Sequence, residues 1–254
     1  MLALSPQSHG ALMSHSDQST SKNILLATML ADDFARLRPY FQRVDLNRGD
    51  VIVPANGPVD YIHFPEGGVI SIVSDTPGKG RTEVGIIGKE GVSATHLLLG
   101  ASDTPHESFI QVGEATALRI TTDKYLAAIE QSDTLRTMLL RFVQALMIQT
   151  AQSAATNAHQ RIEARLARWL LMCHDRMDGD EIALTHDFMG MMIAAERSGV
   201  TVTLHILEGA GMIRSTRGRV LILDRAKLTD LAGEGYGVPE VQYSRLVAPF
   251  GKGW

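Results

Sequence analysis

The sequence predicts an α+β fold, with strands concentrated in the first half and helices in the second. Between Val44 and Ile120, short β-branched runs alternate with Gly, Pro, Asn and Asp, a spacing typical of a β-sandwich or barrel. From Asp123 to Asn157 there is no proline or glycine, and apolar residues recur at three- and four-residue steps. Beyond this stretch the sequence again shows helical spacing, followed by the alternation typical of a β-hairpin. The 254 residues suffice for one large domain or two modest ones.

Composition excludes several classes of protein. No apolar run approaches the ~20 residues of a transmembrane helix, and the polar start lacks signal-peptide regions, so we expect a cytoplasmic protein. The single cysteine, Cys173, can form neither an intramolecular disulfide nor a cysteine-rich zinc or iron–sulfur site. The sequence contains no HExxH, no GxSxG and no complete Walker loop. We therefore expect no enzyme, no catalytic residue and no metal ligand.

The N-terminal segment predicts a tail followed by short helices. Residues 1–22 are rich in Ser, Gln and His and lack apolar periodicity, which predicts a disordered tail. Asn23 is a suitable N-cap for a short helix that continues to Leu30. Asp32 or Asp33 is a suitable start for another helix that reaches Phe41.

The long helical pattern carries an apolar stripe whose packing partner the residues leave open. The stripe consists of Leu135, Met138, Leu139, Phe142 and Leu146. Further along, its positions are Gln149, Ser153 and Thr156, which are too polar for a deep core but suit a helix pair open to water. The helix therefore packs either on its own barrel or in a dimer seam.

A second amphipathic helix is predicted over residues 161–177. Its apolar side includes Trp169 and Cys173, so we expect a buried, unreactive thiol.

Residues 184–224 predict two short helices followed by a hairpin. Thr185 suits the N-cap of a helix that runs to about Met192, and a second helix begins near Arg197 after a tight connection. Helical spacing buries one face of this second helix, at Val200, Leu204 and Leu207, and exposes the other, at Arg197, Ser198, Thr201, Val202 and His205. Gly218 marks the hairpin turn.

Charge is unevenly distributed along the chain. The net charge of −4 lies wholly within residues 1–160, whereas residues 161–254 are neutral and contain a run with six basic and two acidic residues from Arg197 to Lys227. Helix, turn, helix and basic hairpin are the order of a winged helix-turn-helix, whose second helix enters the major groove. The predicted DNA-binding residues are Thr185, Arg197, Ser198, Thr201, Val202, His205, Arg214, Arg217 and Arg219.

Residues 184–213 resemble the helix-turn-helix of the Crp/Fnr family of bacterial transcription regulators. The matching positions are Thr185, Gly190, Arg197, Val200, Leu204, Leu207 and Glu208. Residues 49–73, GDVIVPANGPVDYIHFPEGGVISIV, resemble the first strands of the family's cyclic-nucleotide-binding-like barrel. The resemblance covers roughly residues 23–232.

The resemblance implies an N-terminal β jelly-roll barrel that acts as a sensor (23–132), a dimerisation helix (133–160) and a C-terminal winged helix-turn-helix (161–254). It also implies a homodimer on a palindromic operator in double-stranded DNA, with RNA polymerase as a partner if the protein is an activator. Ser198 and Val202 stand where well-known members carry a glutamate and an arginine, so we expect a different half-site.

The sensor half departs from the family's phosphate cassette. Lys89 interrupts its Gly-Glu pair, and no arginine lies between Arg81 and Arg119, so we do not expect cyclic AMP to bind in the usual way. The candidate effector pocket comprises Gly88, Glu90, Gly91, Val92, Ser93 and His106. We assign no cofactor; haem on His63, His96 or His106 stays open. The alternative function is a cyclic-nucleotide-binding module that regulates a protein partner without binding DNA.

Overall fold

The structure is a computed structural model that describes residues 17–78, 80–112 and 115–252. Most of the predicted tail, residues 1–16, lies outside this range. Residues 17–22 differ from the expected disorder, because they pack against the folded part of the chain. The Gln18 side-chain amide donates to the carbonyl oxygens of Leu26 at 3.1 Å and Met29 at 2.7 Å. These contacts satisfy carbonyl groups at the end of the first helix.

The two predicted N-terminal helices are present. Helix α1 spans Ile24–Thr28 and α2 spans Ala31–Leu37, followed by a 3-10 turn at Arg38–Tyr40. Asn23 caps α1 as expected, since its side-chain oxygen accepts from the Leu26 amide at 3.2 Å.

Seven strands form two antiparallel sheets that enclose the first core, which confirms the strand-rich prediction. They are β1 (Gln42–Leu46), β2 (Val51–Val53), β3 (Tyr61–Pro65), β4 (Val69–Thr76), β5 (Gly80–Ile87), β6 (Glu107–Val112) and β7 (Ala115–Thr121). One sheet has the order β1-β7-β3 and the other β2-β6-β4-β5. Alternate apolar residues such as Ile62, Phe64 and Ile110 point between the sheets and are buried. A 3-10 segment, Thr95–Leu99, connects β5 to β6.

The expectation of one continuous helix from Asp123 to Asn157 is wrong, because the structure contains two helices in this region. Helix α3 spans Thr122–Glu130 and α4 spans Asp133–His159. Ser132 separates them as the N-cap of α4: its hydroxyl oxygen accepts from the Leu135 amide at 3.2 Å, and its hydroxyl donates to Asp33 of α2. A capping serine held by a distant carboxylate breaks the helix without glycine or proline.

The second half is helical with a small sheet. Helices α5 (Ile162–Arg176), α6 (His186–Met192), α7 (Arg197–Gly209), α8 (Arg225–Ala232) and α9 (Val238–Leu246) alternate with strands β8 (Glu181–Ala183), β9 (Ile213–Thr216) and β10 (Arg219–Ile222). Their core includes Cys173, which is fully buried as predicted, and burial raises the pKa of its thiol. Among the described residues, no helix is long and apolar enough to cross a bilayer.

The predicted two-stranded hairpin is a three-stranded sheet of order β8-β10-β9. Strand β8 pairs with β10 through Ile182 and Val220. It has only three residues, and its partner lies almost forty positions further along the chain, so its local pattern gives no strand signal.

Candidate nucleic-acid interface and sensor cavity

Helix α6 and its connection to α7 are held in a tight turn. Thr185 caps α6, since its hydroxyl oxygen accepts from the Phe188 amide at 3.4 Å. A Cβ added to Gly190 would lie 2.7 Å from the Ala195 carbonyl oxygen. Glycine at this position therefore allows the connection to pass directly over α6, and Ala194 takes the left-handed conformation with φ +50°.

The two faces of α7 divide as the spacing predicts. Val200, Leu204 and Leu207 are buried against the rest of the domain. On the opposite face Arg197, Ser198, Val202 and His205 are exposed, Thr201 is half-buried, and Val202 is 59% exposed. The sequence analysis missed Ile206, which is also exposed and lies one helical turn after Val202. The exposed face is therefore basic at its start and apolar in its middle.

The hairpin β9–β10 presents arginines beside this helix. Gly218 takes φ +76° in the turn, and Arg214, Arg217 and Arg219 are exposed. Arg219 forms an ion pair with Glu181 of β8 at 2.7 Å. The Ser215 amide donates to the Glu208 carboxylate of α7 at 3.0 Å, which fixes the base of the hairpin to the helix.

The basic run from Arg197 to Lys227 is less of a surface feature than its charge predicts. The Arg225 guanidinium donates to Asp175 and to the Tyr236 hydroxyl, each at 2.6 Å. Lys227 is paired with Asp224 at 3.4 Å. Arg225 faces the interior because α8 packs on α5, and Lys227 has a local partner. The other basic residues of the run are Arg197 and the three hairpin arginines, of which Arg219 pairs with Glu181.

This geometry agrees with a match to a known domain family over residues 164–231. The segment matches the Crp-like helix-turn-helix domain. The prediction made from residues 184–213 is thereby confirmed. Among curated proteins, none matches the sequence.

Solved structures share the fold over most of the chain. A CRP-family transcriptional regulator from Thermus thermophilus is 20% identical, with a TM-score of 0.61, and the match covers 75% of this chain and 97% of that one. FixK2 from Bradyrhizobium japonicum is 14% identical, with a TM-score of 0.62 and coverage of 76% and 98%. A putative cyclic nucleotide binding protein from Ruegeria pomeroyi is 16% identical, with a TM-score of 0.59 and coverage of 85% and 96%.

Residues 164–231 thus match a Crp-like helix-turn-helix domain, and most of the chain shares the fold of these solved structures.

The candidate effector residues are not brought together. Glu90 is buried in an ion pair with Arg176 of α5 at 2.8 Å, and each side chain is only 3% exposed. Cβ atoms added to Gly88 and Gly91 would lie within 2.8 Å of Arg176 and Phe142 side-chain atoms, so both glycines allow the barrel to pack closely. Val92 and Ser93 are buried as well. Gly88, Glu90 and Gly91 therefore belong to the junction between the barrel and the helices, and none of the five residues lines the cavity that contains His106.

The sixth residue, His106, lines a separate cavity of about 450 Å³. The cavity lies between the sheet β2-β6-β4-β5 and α4, and the 3-10 segment after β5 closes one end of it. His96 also lines it, whereas His63 does not. The protein thus has a concave site beside its long helix α4, with two histidines in the wall.

Helix α4 packs on its own barrel through one face and leaves another, apolar face exposed. Gln149 is buried against the barrel, where its side chain accepts from the Ile86 amide at 2.8 Å and donates to the Ile86 carbonyl at 3.2 Å. This polar residue of the stripe therefore pairs with the backbone of β5. On another face, Leu140 and Met147 are 37% and 60% exposed. Packing on the barrel leaves an apolar face of α4 uncovered in a single protomer.

A buried carboxyl group that the sequence analysis missed lies between the barrel and the Crp-like domain. Glu83 of β5 accepts from the Ser71 hydroxyl at 2.6 Å and from the Trp169 indole at 2.7 Å. Burial raises its pKa to about 8. The only sequence signal was a carboxylate in the middle of an apolar strand.

Proposed function

We propose that the protein is a homodimeric, sequence-specific transcription regulator that binds a palindromic operator. Each protomer would insert α7 into the major groove and lay the β9–β10 hairpin along the phosphates. The observation that supports this most strongly is the exposed face of α7 beside a hairpin with three exposed arginines.

Base contacts fall to the exposed face of α7. Arg197 would bind guanine O6 and N7 through its guanidinium, and Ser198 would discriminate weakly between bases. Val202 and Ile206 offer apolar contacts to thymine methyl groups, so the half-site contains a guanine next to thymines. The phosphates would be contacted by the exposed arginines of the hairpin, Arg214, Arg217 and Arg219, and by Thr185 at the start of α6. Thr201 and His205 would flank the base contacts.

Dimerisation through α4 accounts for its uncovered apolar face. Leu140 and Met147 are one heptad apart, and Ala151, Ala154 and Ala158 are exposed further along the helix. Arg141 is the one charged residue from 137 to 158. Two α4 helices packed about a two-fold axis would hold the two α7 helices about one DNA turn apart, which requires a palindromic site.

The barrel, residues 23–132, would act as a degenerate sensor whose effector favours one of two orientations of the DNA-binding domains. Residues 133–160 would form the seam and residues 161–254 the DNA-binding domain. We infer a cytoplasmic protein that contacts RNA polymerase if it activates transcription. The competing function, a nucleotide-binding module that acts on a protein partner, predicts no DNA protection at physiological salt.

Selection of bound fragments from genomic DNA, followed by footprinting, tests the proposal. We expect a palindromic protected site and a dimer mass in solution. Arg197→Ala should lose about 1–3 kcal/mol of discrimination between operator and scrambled DNA, and Arg217→Ala should weaken both equally and lower the salt slope by about one. Arg38→Ala, on the exposed surface of the barrel, is the matched control. Equal losses on both DNAs for Arg197→Ala would contradict the proposal.

A further inference from the structure

The cavity beside α4 has an apolar wall with a few uncharged polar groups. Strands β2, β4 and β5 contribute Val53, Ile72 and Val84, and α4 contributes Val143 and Leu146. Thr104, Ser108 and Thr150 supply hydroxyl groups. Among the described residues, none of those that line the cavity is Asp, Glu, Lys or Arg. Its volume of about 450 Å³ is that of a small-molecule site.

Two basic residues of the strand β5 and the loop after it, Arg81 and Lys89, are engaged elsewhere. Arg81 forms an ion pair with Glu107 and lies over the Phe109 ring at 4.9 Å. Lys89 pairs with Asp178 at 3.7 Å on the side of the barrel that faces α5. A phosphate or carboxylate in the cavity would thus be desolvated without a cation, which disfavours any anionic ligand.

Two imidazoles in the cavity wall have buried ring nitrogens without a hydrogen-bond partner. They are Nε2 of His96 and Nδ1 of His106, and no described residue lies within hydrogen-bonding reach of either atom. Burial lowers the pKa of His96, which favours its neutral form. A neutral imidazole offers one donor and one acceptor, and a buried polar atom left unpaired costs free energy that a bound partner recovers.

We propose that this cavity binds an uncharged, mainly apolar small molecule that forms hydrogen bonds with His96 and His106. The inference rests on the proposed regulator function, in which this molecule is the effector. Met147, Ala151 and Ala154 line the open side of the cavity and also lie on the exposed face of α4. A second copy packed there would cover the ligand, so occupancy and dimer geometry would be coupled.

Two fluorescent probes that differ in one charged group test the ligand class. N-phenyl-1-naphthylamine is neutral, and 8-anilino-1-naphthalenesulfonate has the same rings with a sulfonate added. We expect the neutral probe to bind the full-length protein saturably, at one probe per protomer, and the sulfonate to bind at least about 10-fold more weakly. Cyclic AMP should not displace the neutral probe. Equal affinities, or displacement by cyclic AMP, would overturn the proposal.

Substitutions that fill the cavity test whether the probe binds there. Val84→Trp and Thr104→Trp fill it from a strand and from a loop, so the second remains informative if the first does not fold. Each should weaken the neutral probe at least about 10-fold. Val51→Trp, on a strand of the same barrel but more than half exposed and outside the cavity, should leave the affinity unchanged. Unchanged affinity in both filled variants would overturn the site.

The histidines have their own control. His106→Leu should weaken the neutral probe by about 2- to 10-fold, the range of one lost hydrogen bond, and Arg38→Leu, at an exposed barrel residue outside the cavity, should not. No loss in His106→Leu would overturn its role. Operator binding and dimer mass, measured on the same samples, separate the two proposals. A dimer that binds its operator but not the probe refutes the ligand inference alone, whereas probe binding by a chain that ignores DNA refutes the regulator function.

Discussion

Replacing Arg176 by methionine would remove one half of the ion pair that joins the barrel to α5. The Arg176 guanidinium donates to Glu90 Oε1 from Nε at 2.9 Å and from Nη2 at 2.8 Å, and Glu90 also accepts from the Gly88 amide at 3.0 Å. Both side chains are almost wholly buried, so the substitution leaves a carboxylate in the interior without its cation.

The expected loss of unfolding free energy is about 3–5 kcal/mol, the usual effect of breaking one side of a buried pair. This is a large fraction of the roughly 5–15 kcal/mol that stabilises a typical domain. Glu90→Gln should cost a comparable amount, because it leaves the Arg176 charge unpaired. The double variant should cost clearly less than the sum of the single variants, since it removes both charges together.

Urea denaturation of the two single variants and the double variant, followed by tryptophan fluorescence and circular dichroism, measures this cycle. Lys22→Met is the control, because its pair with Asp178 is exposed and should contribute less than about 1 kcal/mol. Strictly additive losses, or a loss below about 1 kcal/mol for Arg176→Met, would refute the argument that the pair stabilises the junction.

Three further perturbations follow from the structure. Burial raises the pKa of Glu83 in the folded protein to about 8, above its value of about 4.5 in the unfolded chain, so the wild type should lose about 1.4 kcal/mol of stability per pH unit between about pH 4.5 and 8. Glu83→Gln should lack this slope when denaturation is measured as a function of pH, and parallel curves for the two proteins would contradict the assignment. Gly190→Ala should lower the melting temperature because its Cβ meets the Ala195 carbonyl, whereas Gly209→Ala, with open space, should be neutral or stabilising by about 0.5–1 kcal/mol. Met147→Glu should give a monomer by light scattering, and Val51→Glu, which adds the same charge at an exposed apolar side chain outside α4, should not. A dimer in both variants would exclude the α4 seam.

Most of the fold was predictable from local patterns in the sequence. The strands follow from β-branched runs between turn residues, and α6 and α7 follow from the Thr185 cap and the spacing of Val200, Leu204 and Leu207. These features depend on residues a few positions apart, so a single sequence contains them. The exposed face of α7 was predictable for the same reason.

Features that depend on distant contacts could not be predicted in this way. Ser132 ends α3 and starts α4 with the help of Asp33, about a hundred positions earlier. Glu90 resembled a ligand-binding residue until Arg176, 86 positions later, was found beside it. Arg225 looked like a surface cation because its partner Asp175 lies in another helix. In each case the deciding partner is unrelated by local spacing.

The segment that follows the Crp-like domain seals the junction. The Tyr243 hydroxyl of α9 donates to the Glu90 carbonyl at 2.6 Å, and the Phe250 ring stacks on the Arg176 guanidinium at 5.1 Å. During synthesis the barrel strands are therefore made well before the residues that cover this junction. A ribosome-bound chain stopped before residue 243 would lack the two aromatic residues that cover the ion pair between Glu90 and Arg176.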